Sequence, residues 1–308
     1  LEADNQTVQL EPGYLKLYRQ GELSERAEVL WKRLENCDIC PHRCKVNRLK
    51  GETGICRTGR RAMVSSFGPH FGEESPLVGG GGSGTIFFTN CNLGCVFCQN
   101  YDISHGGEGY PVEEEKIAEM MMELQNRGCH NVNFVTPTHV VPQIVKALAF
   151  AIEMGLNIPL VYNTGGYDSV STLELVDGVF DIYMPDLKYS DDNIAQRYCN
   201  AKDYVQTARK AIKEMHRQVG DLVMDQRGIA QRGLLIRHLI LPEDLAGTYE
   251  AMRFIAEEIS PDTYVNLMDQ YHPCFRADKS PPLDRRITHE EFANAVKIAK
   301  DLGIKRLD

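Results

Sequence analysis

Between Thr85 and Met268 short runs of Val, Ile, Leu, Tyr and Phe alternate with longer amphipathic stretches, and no other feature of the chain constrains its fold as tightly. Strands are expected over 85–89 (TIFFT), 131–135 (NVNFV), 158–163 (IPLVYN), 179–189 (VFDIYMPDLKY), 234–242 (LLIRHLILP) and 264–268 (YVNLM). Helices are expected over 112–125, 141–153, 171–176, 202–219, 245–258 and 290–302. Strands that are apolar throughout are covered on both faces, as in a parallel sheet built from β/α units. Six such units predict an α/β fold, a partial (β/α)6 TIM-like barrel, although periodicity alone also permits an open doubly wound sheet. In both architectures reactive groups gather beyond the C-terminal ends of the strands. The segments in those places are CNLGCVFCQN, TPTH, NTGGY, PDLKY, HLILP and DQYHPC, all with polar, metal-binding or turn-forming residues.

The flanks divide the chain into residues 1–68, an N-terminal helix and four-cysteine module; 69–275, the barrel; and 276–308, a C-terminal helical extension. Leu23, Ala27, Val29 and Leu30 give the first helix an apolar face. The stretch from Cys37 to Cys56 has few apolar runs, so a bound metal would supply much of what holds it together. From Gly68 to Gly84 there are too many glycines for an ordinary helix or strand, which suits a hinge or a close approach of backbone to cofactor. A formal charge of -9 speaks against a nucleic-acid partner, and the basic residues between Arg43 and Arg61 read as a solvated surface. No run reaches the roughly 20 apolar residues that cross a membrane, and the first residues do not read as a leader, so the expected location is cytoplasmic.

Ten cysteines fall into two groups and three single residues. Nothing points to secretion, and gaps of two or three residues suit metal ligation better than disulfides. Cys91, Cys95 and Cys98 lie within eight residues, directly after an expected strand. Structural zinc usually takes four protein ligands, whereas a cubane cluster on three thiolates leaves one iron open to a substrate. Cys37, Cys40, Cys44 and Cys56, with two, three and eleven residues between them, satisfy zinc and an iron-sulfur cluster equally. Cys129 and Cys199 sit in unremarkable helical or connecting segments, and His139 and His238 read as structural histidines.

The spacing CxxxCxxC after the first barrel strand resembles the radical S-adenosylmethionine (radical SAM) superfamily. Gln99 and Asn100 after Cys98, with CDICPHRC, NFVTPTH, VYNTGGY, DIYMPDLKY, IRHLILP and DQYHPC, resemble the PflX-type relatives of pyruvate formate-lyase activating enzyme. The resemblance runs from about Cys37 to Cys274. It implies a [4Fe-4S] cluster on Cys91, Cys95 and Cys98, with S-adenosylmethionine chelated to the fourth iron and opened reductively to a 5'-deoxyadenosyl radical. It also implies that Phe97 packs near the adenine and that Asp186 and Lys188 form a DLK element, with Lys188 on the cofactor carboxylate. The glycine-rich GGE-like segment of the superfamily is absent after the second strand. Thr136 and Thr138 stand there and would accept the cofactor's amino protons, unless Thr-Pro-Thr is only a strand stop.

Arg237 inside a strand needs a partner, either the cofactor carboxylate or a core acid, and Asn163 is a further polar contact. On the substrate side, Cys274 is a candidate hydrogen-atom donor and His272 a proton-transfer group, while Asp186 either holds Lys188 or meets substrate. The resemblance implies a low-potential electron donor such as flavodoxin or ferredoxin. Activation of a glycyl-radical enzyme, action on a small molecule or peptide, and a noncatalytic iron-sulfur or zinc protein are the competing readings. A small-molecule enzyme would need a lid, for which residues 102–111 are available.

Overall fold

The expected alternation is realised as a ten-stranded sheet in the computed structural model, which describes residues 10–308. In chain order the strands are β1 (Ala62–His70), β2 (Ser83–Phe88), β3 (Tyr110–Val112), β4 (Val132–Val135) and β5 (Leu160–Thr164). There follow β6 (Ile182–Pro185), β7 (Val223–Met224), β8 (Ala230–Leu239), β9 (Tyr264–Met268) and β10 (Arg306–Leu307). Their order across the sheet is β10-β9-β8-β6-β5-β4-β2-β1-β3, with β7 paired to β8. The six strands read from the sequence, β2, β4, β5, β6, β8 and β9, pair in parallel and form the unclosed barrel. Helices Glu114–Asn126, Val141–Glu153 and Tyr204–Val219 pack outside it.

Strand periodicity places the site. Side chains two residues apart share a sheet face. On the inner face, Val161, Ile182, Met184 and Leu235 pack with Leu77, Leu222 and Ala230 into a dry plug. One pleat further toward the C-terminal ends, the same face presents Asn163, Asp186 and Arg237. Asp186 continues β6 as a parallel bridge to Arg237. The apolar plug therefore floors a polar mouth, and its burial stabilises each large side chain by about 1.5–3 kcal/mol.

Several expectations change. Residues Ala62–His70 form β1, antiparallel to β2, so the glycine-rich stretch begins as a strand and β1 runs through the 68/69 division. Val112 belongs to β3, and the following helix starts at Glu114. Val29 is 47% exposed, while Leu23, Ala27 and Leu30 are buried against the helix Val141–Glu153. A helix over Asp192–Cys199, capped by the Asp191 carboxylate, was not anticipated. The 102–111 segment is pinned, not a free lid. Arg57 donates to the carbonyls of Ser104 and His105, Asn90 N to Ile103 O, and the Thr89 hydroxyl to Glu108 O.

The C-terminal extension opens on a capping box between Thr288 and Glu291 and runs as a helix over His289–Asp301. It then adds β10 to the edge of β9, in parallel. Among the described residues no helix is long and apolar enough to cross a membrane.

Candidate active site

β2 ends at Phe88, and the chain turns through Asn90 in the left-handed region (φ 72°) to present Cys91. The loop that follows is held from outside: Gly94 N and Val96 N donate to the carbonyls of Cys199 and Tyr198, at 3.1 and 2.9 Å. Cys91, Cys95 and Cys98 line one cavity of about 160 Å³ together with Thr136, Asn163, Asp186, Lys188 and Arg237. Residues from five strand ends thus meet above the apolar plug.

The charges there are balanced tightly. Lys188 Nζ donates to Asp186 Oδ2 at 2.6 Å, and Arg237 Nε donates to Asp186 Oδ1 at 2.7 Å. Burial alone would raise the Asp186 carboxyl, but Arg237 and Lys188 outweigh it and hold it below the usual carboxylate range. Lys188 is likewise lowered by burial and raised further by Asp186, so it stays charged. Arg237 also donates to Asn163 Oδ1 at 2.8 Å and lies 3.6 and 3.7 Å from carboxylate oxygens of Glu73 and Glu74. With both oxygens taken by cations, Asp186 holds Lys188 and Arg237 in place.

Other sequence-predicted residues separate. The Thr136 hydroxyl lines the cavity and donates to Asn163 O at 3.0 Å, leaving its oxygen free to accept. Thr138 does not reach the cavity; it is buried in a cluster with Thr164, Tyr162 and Asp168. Phe97 is also absent from the cavity wall, its ring packed edge-on against Tyr271 at 5.9 Å and Tyr189 at 6.5 Å. Cys274 and His272 lie outside the cavity as well. Their segment docks on the back of the cysteine loop through Arg276 N to Val96 O, and His272 Nδ1 faces its own loop at Gln270 O. Asp269 and Gln270 do face an opening, an adjoining cavity of about 420 Å³ that shares Arg237 with the first and is also lined by Glu73 and Glu74.

Sequence reasoning missed Glu73, Glu74, Ser104 and Cys199. Adjacent acids in the glycine-rich GEE stretch were the available signal for the first two. Burial raises Glu73 to about 7 against the opposing pull of Arg237. Ser104 Oγ lies 3.1 Å from Cys98 Sγ. Cys199 Sγ lies 2.8 Å from Cys95 Sγ on the side away from the cavity, across 104 residues of chain, a proximity no spacing rule reveals. The hydrogen bond they share, followed by burial, pushes the Cys95 thiol up, and burial pushes Cys91 up to about 12.

A family model described as the Radical SAM superfamily matches residues 85–226, from β2 to just past β7. The uncharacterized protein MJ0674 of Methanocaldococcus jannaschii is 33% identical over 300 residues, which cover 94% of this chain and 82% of that protein. Among solved structures, a domain of pyruvate-formate lyase-activating enzyme from Bacteroides vulgatus ATCC 8482 aligns with 63% of this chain and 91% of its own, at 15% identity and a TM-score of 0.38. The unclosed α/β barrel with thiols at its mouth defines a class of radical enzyme. The chain belongs to the radical SAM superfamily, and it is an oxidoreductase that cleaves S-adenosylmethionine.

The superfamily implies a [4Fe-4S] cluster with S-adenosylmethionine. Among the described residues no three His, Cys, Asp or Glu side chains converge tightly enough for a single ion. Three thiols around a 160 Å³ cavity that also holds two cations and a free hydroxyl acceptor fit the larger pair of groups.

Proposed function

We propose that this protein cleaves S-adenosylmethionine at a cluster held by Cys91, Cys95 and Cys98 and directs the resulting radical at a small molecule or peptide. Bound there, the cluster supplies one low-potential electron and an iron open to the amino and carboxylate groups of S-adenosylmethionine. The chain's own residues bind and orient. Lys188 keeps its proton and donates to the carboxylate, Asp186 fixes its direction, and Arg237 adds a second positive charge. Thr136 Oγ1 and Asn163 accept amino protons in place of the absent glycine-rich segment.

The observation that carries this reading is the shared cavity, where three thiols face the Lys188–Asp186–Arg237 array. A cavity of about 420 Å³ beyond Arg237 supports the substrate class, since it is bounded by Glu73, Glu74 and Asp269. Glu74 is buried, and among the described residues its Oε2 has no hydrogen-bond partner, which suits a substrate carrying an amine or another cationic group. The pinned 102–111 segment supplies no moving lid, so the substrate class rests on the acids of this second cavity. A low-potential flavodoxin or ferredoxin is the fitting electron source.

Anaerobically reconstituted and reduced protein should convert S-adenosylmethionine to 5'-deoxyadenosine and methionine. Deuterated amine-bearing candidates should pass label into 5'-deoxyadenosine. Full cleavage by Cys95→Ala protein would overturn the mechanism.

A further inference from the structure

The second cysteine group is a built site. Cys37, Cys40, Cys44 and Cys56 line one enclosed apolar cavity of about 10 Å³ together with Arg48 and His139. Arg48 is 1% exposed, and among the described residues its contacts are carbonyls and a thiol, with no carboxylate. Its Nε and Nη1 donate to the carbonyls of Gly59 and His139, Nη1 also lies 3.9 Å from Cys37 Sγ, and Nη2 has no partner among the described residues. His139 is buried beside it, with Nε2 on Thr89 O and Nδ1 unpartnered. A buried cation with one unsatisfied N–H group in the wall of a four-thiol cavity calls for an anion with acceptor atoms. A metal bound by four thiolates is such an anion.

The dimensions choose the metal. Zinc holds its sulfurs about 2.3 Å away, which leaves no room for a water among them. Here the four thiols surround a void the size of roughly one water. No three of them converge as ligands of one ion, which is also true of the triad. Backbone serves the site too. Ile55 N approaches Cys44 Sγ at 3.5 Å, and a side chain on Gly54 would meet that sulfur at 2.6 Å.

The module also touches the triad loop at two points. His42 Nε2 lies 2.7 Å from Asn92 O, between Cys91 and Cys95. Asn90 Nδ2 donates to Thr58 Oγ1, which donates to Cys56 O. Cys44 is partly exposed, so the module links the surface to the triad.

We infer that Cys37, Cys40, Cys44 and Cys56 hold a second iron-sulfur cluster, with Arg48 as its buried counter-ion, that relays electrons to the triad. The relay role rests on the function proposed above; the metal assignment does not. One electron leaves a low-potential one-electron donor, reduces the N-terminal cluster and passes on to the triad's cluster, which restores the relay. No bond or proton changes hands in the transfer.

The full chain with Cys91, Cys95 and Cys98 all changed to Ala, reconstituted with iron and sulfide, should keep iron, sulfide and a paramagnetic signal on reduction. One zinc and no sulfide would overturn the assignment, whether or not the wild type cleaves S-adenosylmethionine. In the intact triad background, Cys44→Ala should lower the ratio of flavodoxin-driven to dithionite-driven cleavage at least tenfold; an unchanged ratio overturns the relay. Arg48→Gln, a milder change, should move the potential of the N-terminal cluster to a more negative value. An unmoved potential would remove Arg48 from the site.

Discussion

The two cysteine groups touch each other, yet they are built in opposite ways. The triad sits on a loop whose backbone is held from outside, and its thiols open on a cavity of about 160 Å³ that leads on to a larger one. The N-terminal four enclose about 10 Å³ with an apolar lining. Beside the triad, Lys188 and Arg237 already have carboxylate partners in Asp186, Glu73 and Glu74, whereas Arg48 has none and takes its counter-charge from the thiols themselves. A site that must admit substrate holds its cations in place without it. A site that only holds a resident group can let that group complete the balance.

The largest expected effect tests the open site: Cys95→Ala should reduce 5'-deoxyadenosine formation to the background without protein. Lys188→Met should follow, since removing a charge-assisted hydrogen bond costs about 1.5–3 kcal/mol. That corresponds to roughly 10–150-fold weaker S-adenosylmethionine binding by calorimetry, and binding within twofold of wild type would show that Lys188 does not meet the cofactor.

Arg48→Met should cost the metal-loaded protein more stability than the chelated protein, by on the order of 1–3 kcal/mol, as seen in denaturant unfolding. Equal losses would mean that the thiols do not supply its counter-charge. The smallest effect concerns Glu73. Its folded-state value is raised to about 7, so its stabilising contribution is full below 4.5 and is lost as pH rises through 7. Thermal scans should therefore show wild type losing stability relative to Glu73→Gln across that window, and parallel pH profiles would place Glu73 in ordinary solvent.

How much was legible beforehand varies with the range of the interaction. The six barrel strands, the helix 141–153 and the C-terminal helix followed from local apolar patterns. Arg237 stood out because a charge inside a buried strand demands a partner, whereas Lys188 stood out only through the resemblance of its DLK segment. β1 was hidden because its glycine and polar residues are tolerated at an antiparallel margin. Phe97 stands outside the cavity wall because one residue's step in a loop decides which side a ring faces, and here Tyr189 and Tyr271 pack against it.

By itself the sequence determined the β/α order, the two thiol groups and the end of the barrel where chemistry gathers, since periodicity and close spacing are properties of neighbouring residues. Tertiary structure alone brought Glu73 and Glu74 to Arg237, set Cys199 behind Cys95, and turned Arg48 and His139 into the cavity of the four cysteines. Those contacts join residues far apart along the chain, and their geometry exists only once the open barrel has folded around its apolar plug.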